Sequence, residues 1–363
     1  MKTILLLSLS ILLVVPGIAG AGPFEIEFEE LAPGIWAGIR PDSSRFPVMG
    51  STTFVISDVG VVVFDGGGVP VIADQVIEKI RSETDLPVTH VIISHWHGDH
   101  NFGIYRYGEE FSNVQFIAHT FTHAAMNGSP IDYILGYPEF VSKNLPGLKQ
   151  TVESGKHPDG NDVSAVTLAN YKRRIEDAPE IDIEYKKVQV TTPNVIFEDQ
   201  LVIYSGKTRI ELMKLGHGNT EGDIVMWLPQ TRIVAAGDLV VLPAPYAFNV
   251  PPLAWAASLE RLKDLGFEIL VPGHGEIQNN ITYVDLLIES ANSIAQQRDA
   301  LLAQGLSKEE VESQLDFSAL EERFTEGDKY KAIYFKAWFE RPFRKAAIKA
   351  LSNEPMVKIE PHK

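Results

Sequence analysis

Residues Ser94-His95-Trp96-His97-Gly98-Asp99-His100-Asn101 place four potential metal ligands within six positions. His95 and His97 alternate, so in an extended loop both can point the same way. Asp99 and His100 are adjacent and diverge from that pair, so one loop can feed two neighbouring metal ions. Three imidazoles and a carboxylate are costly to desolvate together unless something pairs with them. A lone His on an apolar strand reads as a packed residue, but this spacing at a strand end reads as metal ligation. The apolar run Thr89–Ile93 just before it reads as the buried strand that presents the loop.

Three further candidates share one context, the end of a strand followed by a glycine turn. His217 lies in Gly216-His217-Gly218-Asn219-Thr220, Asp238 in Ala236-Gly237-Asp238-Leu239, and His274 in Pro272-Gly273-His274-Gly275. Loops at strand ends can bend inward while the sheet stays rigid. Each of these turns alone is more often structural; together with the first loop they form a candidate ligand set.

The elements that must position these residues follow from periodicity. Alternation predicts strands near 24–28 and 34–40, then a loop at 41–50. A hairpin is expected over 51–57 and 61–64, closed by Asp58-Val59-Gly60. Apolar Ile72, Val76, Ile77 and Ile80 predict a helix over 71–83. A short strand at 114–118 leads to His119. Residues 127–196 are polar and proline-rich, with helices expected near 139–153 and 162–176. Strands resume at 200–204, 209–215, 223–228, 232–236 and 268–271, with a helix near 253–264. A helix over 282–304 should stop at Gly305, Ser307 and Glu310 should form a capping box, and an aromatic-rich helix near 329–351 should kink or restart at Pro342. Strands then helices, twice over, suggest a layered α/β sandwich rather than a strictly alternating parallel sheet.

The 363 residues allow one large domain with appendages or two smaller ones. Lys2, apolar Ile4 to Val15, Pro16-Gly17 and Ala19-Gly20-Ala21 read as a secretory signal over 1–21. The apolar run is too short to span a bilayer comfortably, so no membrane association is expected after cleavage. With no Cys in the chain, disulfides, thiolate ligands and a lipoprotein anchor are excluded. Export without cysteines suggests a secreted or bacterial periplasmic location. The net charge of −16, with no compensating basic cluster, argues against nucleic acid as substrate or partner.

Over roughly residues 24–280 the ligand string resembles the metallo-β-lactamase superfamily. The resemblance implies an αββα sandwich of two mixed β-sheets flanked by helices. The expected division is a catalytic domain over 22–280, with 127–196 as an insertion, and a C-terminal helical extension over 281–363. It implies two Zn2+ per chain: His95, His97 and His217 on one, Asp99, His100 and His274 on the other, and Asp238 bridging. Family members that bind iron carry a carboxylate where His97 stands, which favours zinc. Asp65 matches an Asp beneath the metal loop that orients ligands. His90 reads as a packed core residue, His119 and His123 as structural residues after a strand with a supporting or substrate role as the alternative, and His157 and His362 as solvated.

Two Zn2+ held close together would lower the pKa of a shared water toward ~7, giving a hydroxide that attacks a carbonyl. Asp99 could orient or accept the proton. The implied function is hydrolysis of acyl bonds in a small-molecule substrate, with β-lactams as the best guess. The segment around His217 resembles the lactamases, and Asn249 and Trp255 fall near a substrate-facing Asn and a helix Trp of that family. Against this, Asp238 replaces a ligand Cys of the best-known subclass, and Val241 stands where that subclass has a substrate-binding Lys. The alternatives are a lactonase or esterase, and a periplasmic metal-binding accessory without lactamase activity. The aromatics of the tail, Tyr330, Tyr334, Phe335, Trp338, Phe339 and Phe343, read as core. Oligomeric state is open.

Overall fold

β-Branched and aromatic runs build two mixed sheets. The computed structural model describes residues 22–352 and 354–361; the signal-like stretch 1–21 and His362 lie outside the described residues. In the first sheet the strands are β1 (Glu27–Ala32), β2 (Ile35–Ile39), β3 (Thr52–Ile56), β4 (Val61–Phe64), β5 (Val88–Ile92), β6 (Gln115–His119) and β7 (Val195–Phe197). They lie side by side in sequence order, antiparallel up to β4 and parallel from β4 to β7. The second sheet holds β8 (Gln200–Ser205), β9 (Thr208–Met213), β10 (Val225–Leu228), β11 (Ile233–Ala235) and β12 (Ile269–Val271). It is antiparallel except for the β11/β12 pair, which is parallel.

The β3–β4 hairpin closes as its sequence predicts. Ser57 Oγ accepts from Val59 N and Gly60 N at 3.2 Å each and donates to the Gly60 carbonyl at 2.7 Å. Between the sheets, Val55, Val62, Phe64 and Ile92 meet Leu212, Met226, Leu228 and Ile233 in one buried cluster. The outer face of the first sheet is covered by helix Pro70–Glu83 through Ile72, Val76 and Ile80. The second sheet is covered by helices Pro252–Asp264 and Thr282–Ala303. Each fully buried Val, Leu or Ile is worth about 1.5–3 kcal/mol, so these three layers of contact hold the expected αββα sandwich together. The C-terminal extension is part of it, because Phe335, Phe339 and Phe343 bury into the same cluster as Leu259 and Leu287.

One helix runs longer than expected, and the tail helix restarts at Pro342 as expected but through a π-helical turn. Helix Ala165–Tyr185 runs past its expected stop at 176 with Pro179 inside it. A proline inside a helix costs ~3 kcal/mol, and tertiary bonds on both sides offset this. Asp177 accepts from Arg45 Nε and Nη2 (2.9 and 2.7 Å), and Glu184 Oε2 accepts from Val71 N at 3.2 Å. In the tail, helix Lys329–Tyr334 widens into a π-helical turn over Phe335–Glu340, then restarts at Arg341 with Pro342 in its first turn. The Ser307–Glu310 capping box forms with both reciprocal bonds.

His90 is half-buried and paired with Thr89 Oγ1 at 2.8 Å, rather than packed in the core. His119 ends β6 and caps helix Thr120–Met126: its Nδ1 accepts from Phe121 N at 3.0 Å. Burial, aided by Lys214, brings its pKa down to about 4. The unfolded chain, with an ordinary imidazole, takes up a proton first as pH falls. This contribution to stability is therefore present above about pH 6.5 and is lost as pH drops toward 4. His119→Asn, which keeps a capping oxygen, is expected to flatten the fall of Tm over that window. Thermal melts at a series of pH values check this, and parallel curves for the two proteins would refute it.

Candidate metal centre

Strand order brings the candidate residues to one edge shared by both sheets. Parallel pairing of β11 with β12 makes their ends emerge side by side, which sets Asp238 next to His274. Gly273 N closes this turn by donating to the Gly237 and Val240 carbonyls at 2.8 and 2.9 Å. A Cβ at Gly273 would run into Asp238 Oδ1 and the Gly237 backbone, so only glycine allows that approach. In the first sheet, parallel β4 and β5 end together, and Ser94 N donates to Asp65 Oδ1 at 2.8 Å. Two backbone bonds tie the edges, Ile224 N to the Ser94 carbonyl (3.0 Å) and Ser51 N to the Gly273 carbonyl (2.6 Å).

The loop after β5 is fixed by a residue that sequence reasoning passed over. Asn101 Nδ2 donates to the His95 and His97 carbonyls at 3.2 and 2.7 Å. Asn219 was also missed: its amide donates to Asp238 Oδ2 at 3.0 Å and lies 3.4 Å from His97 Nδ1. Both stand within two residues of a predicted ligand, and that adjacency was the available signal.

The ligating atoms form two groups, His95 with His97 and Asp238, and Asp99 with His100 and His274. His95 Nε2 lies 3.6 Å from Asp238 Oδ2. His100 Nε2 lies 3.2 Å from Asp238 Oδ1, 3.2 Å from His274 Nε2 and 3.7 Å from Asp99 Oδ2. His274 Nε2 lies 3.2 Å from Asp99 Oδ2 and 3.5 Å from Asp238 Oδ1. A tetrahedral shell with bonds of ~2.0–2.1 Å has edges of about 3.3 Å, so these spacings are those of ligands around a cation. His217 belongs to neither group. Its Nδ1–H donates to the Gly218 carbonyl at 3.0 Å, which leaves Nε2 as the free lone pair.

The fit to a metal rests on atoms that the protein leaves unpaired. Among the described residues, His95 Nε2, His217 Nε2 and Asp238 Oδ1 are buried without a hydrogen-bond partner. An unsatisfied buried polar atom costs about 1–3 kcal/mol, and cations at this edge would relieve His95 Nε2 on the first group's side and Asp238 Oδ1 on the second's. Asp65 Oδ2 accepts from His100 Nδ1–H at 2.9 Å and so aims the other nitrogen inward. Burial holds His95 well below, and His97 and His217 below, the ordinary imidazole range, so all three are neutral as ligation requires. Burial would push Asp99 up, but His100 and His274 hold it at about 2. Burial would lower His100, yet Asp238, Asp65 and Asp99 raise it well above its usual value.

The loop 41–50, the insertion and the tail build the surroundings of this edge, and they revise the substrate-facing expectation for Asn249. The loop Pro41–Gly50 is strapped in place: Arg173 pairs with Asp42 at 2.8 Å, Arg45 with Asp177 at 2.7 Å, and Gly50 N donates to the Asp99 carbonyl at 2.9 Å. The insertion thus packs beside the metal edge through that loop. Trp255 is buried in the core with its Nε1 donating to the Leu239 carbonyl at 3.1 Å, and the Asn249 amide donates to the Met356 and Phe248 carbonyls. Both side chains are committed to the protein itself. Tyr330, Tyr334 and Trp338 form an aromatic chain that reaches Tyr246, next to His274.

The family model described as Metallo-beta-lactamase superfamily matches residues 45–274. Over 80 residues the chain is 36% identical to a "Metallo-beta-lactamase type 2" of Bacillus sp. (strain 170), covering 20% of this chain and 30% of that protein. It is also 25% identical over 80 residues to an "Atrochrysone carboxyl ACP thioesterase" of Aspergillus terreus (strain NIH 2624 / FGSC A1156), covering 22% and 25%. The chain therefore aligns with under a third of the length of these relatives. A solved metallo-beta-lactamase from Pontibacter korlensis superposes with a TM-score of 0.50 at 16% identity, over 74% of this chain and 99% of that one. At that identity the likeness is one of fold.

Proposed function

The chain belongs to the metallo-beta-lactamase superfamily, and from that premise we propose that it is an exported binuclear zinc hydrolase of acyl bonds. One observation carries this reading: the Asp238 carboxylate reaches His95 Nε2 with one oxygen and His100 Nε2 with the other (3.6 and 3.2 Å). A side chain so placed can serve two cations. His95, His97 and His217 would hold one Zn2+, and Asp99, His100 and His274 the other, with Asp238 between them. Bound there, the ions would supply Lewis acidity toward a carbonyl oxygen and lower the pKa of water toward ~7.

The chain's own residues supply orientation and proton handling. Asp65 and the Gly218 carbonyl set the tautomers of His100 and His217. Asn219 steadies Asp238. The Asp99 side chain is 19% exposed, whereas Asp238 is 1%. Asp99 is therefore placed to accept the proton that an attacking water gives up and to return it to the leaving group.

β-Lactams are the first substrate class, supported by the 36% identical stretch shared with the Bacillus enzyme. A second reading, a lactone, ester or thioester, is favoured by Val241, which is apolar and buried and offers no cation to a substrate carboxylate. The likeness to the thioesterase also supports it. A hydrolysis panel on the zinc-loaded protein separates these, with a penicillin, a cephalosporin, a carbapenem, an acyl-homoserine lactone, a thioester and a phosphodiester. Two zinc ions and turnover of at least one acyl substrate are expected. Turnover of the phosphodiester alone would overturn the acyl-bond reading. No turnover at all would leave the accessory role.

A further inference from the structure

We propose that Tyr246 is a catalytic residue whose phenol donates a hydrogen bond to the substrate's carbonyl oxygen as that oxygen gains negative charge, and that Trp338 of the C-terminal extension positions it. The proposal rests on the acyl-hydrolase reading.

The Tyr246 ring lies 4.9 Å from the His274 ring on one side and 4.9 Å from Trp338 on the other. It is 8% exposed, and its hydroxyl has no hydrogen-bond partner among the described residues. A buried tyrosine hydroxyl ordinarily finds a partner, and leaving one unpaired costs about 1–3 kcal/mol. The ring packs against His274, a candidate ligand, so the phenol borders the metal centre. A protonated phenol is a poor cation ligand but a good donor. The acceptor that suits it is an oxygen brought to the centre by a ligand, and the carbonyl oxygen of an acyl substrate becomes anionic when water adds to the carbonyl carbon.

The extension holds this group in place. Trp338 sits in the π-helical turn Phe335–Glu340, and its carbonyl accepts from the N–H of Ala247, the residue after Tyr246, at 2.9 Å. Pro342, four residues on, has no N–H to offer that carbonyl, which leaves it available, and π-turns are frequent at functional sites. The Trp338 ring packs on Tyr334 at 4.3 Å, and the Tyr334 hydroxyl is tied to Asn170 and Tyr330 at 3.1 and 3.0 Å. A chain of aromatic contacts thus runs from the insertion through the extension to the metal edge.

The test compares wild type, Tyr246→Phe, Trp338→Leu and the double variant as zinc-loaded full chains. Zinc content, Tm, steady-state kinetics on a turned-over panel substrate, and calorimetric binding of acetohydroxamate are measured. Tyr246→Phe is expected to keep both zinc ions and an equal or higher Tm, since it removes an unpaired hydroxyl. Its kcat should fall ~10²-fold with KM nearly unchanged, and acetohydroxamate should bind ~10-fold more weakly. Trp338→Leu should lower kcat in the wild-type background and add nothing in the Tyr246→Phe background, the coupling expected of a positioning residue. Unchanged kcat and hydroxamate affinity in Tyr246→Phe would overturn the proposal, as would a rate loss that merely follows a loss of zinc or Tm. Should wild type hydrolyse no substrate, the acyl-hydrolase reading falls by itself. Hydroxamate affinity then still decides whether Tyr246 donates to a ligand oxygen at this centre: weakening supports it and equal affinity removes it.

Discussion

His95→Ala is expected to lower zinc content below two per chain and to reduce acyl hydrolysis by ~10³-fold or more, since Lewis-acid stabilisation of several kcal/mol is lost. His95 is fully buried, its Nε2 is unpaired, and its Nδ1 is engaged by Ser94 Oγ at 2.8 Å. Nε2 is therefore the ring nitrogen left to ligate, and it faces Asp238. Without it the first donor group keeps His97 and Asp238 but loses its most enclosed nitrogen. Zinc assayed by emission spectroscopy alongside turnover checks the prediction. His90→Ala is the control: that ring is half-buried, bonded only to its neighbour Thr89, and should leave both readouts intact. Full turnover in His95→Ala would remove the metal assignment.

The second large effect is expected at a residue that touches no metal. Asp65 Oδ1 accepts from Ser94 N and Oδ2 accepts from His100 Nδ1–H. Asp65→Asn preserves size and tolerates the left-handed backbone, φ +54°. Its amide can still accept from Ser94 N, but its NH2 then faces His100 Nδ1. Two donors cannot face each other, so His100 must move its proton to Nε2, the nitrogen that looks at His274 and Asp238. That proton blocks ligation at the second group. Zinc affinity there is expected to drop ~10–100-fold, as for other outer partners of metal ligands. Titration with a chromophoric chelator measures it. Unaltered affinity would mean that Asp65 only braces the loop.

Much of this site was legible in the sequence. The His95–His100 spacing, the glycine turns around His217, Asp238 and His274, and the alternating strands are local features, set by side-chain period and turn chemistry. The same holds for the Ser307–Glu310 box, which formed as written. Local rules failed where distant contacts outweighed them. Helix Ala165–Tyr185 crosses Pro179 because Asp177 and Glu184 are bonded to other parts of the chain. Asn249 looks toward substrate by position in sequence, yet its amide is bound to the Met356 and Phe248 carbonyls, whereas Trp255 lies on helix Pro252–Asp264 as expected.

The sequence by itself determined which side chains could ligate, which strand ends they occupy, and that the layers would be two sheets under helices. Only the tertiary structure decided how those side chains group. Asp238 meets His274 because β11 and β12 run parallel. His100 is aimed by Asp65 because β4 and β5 do too. It also decided that the tail lends Trp338 to Tyr246 rather than serving only as core. The reason is that spacing along a chain fixes direction over a few residues. Convergence of groups far apart depends on strand order and on which loops share an edge, and no local period encodes either.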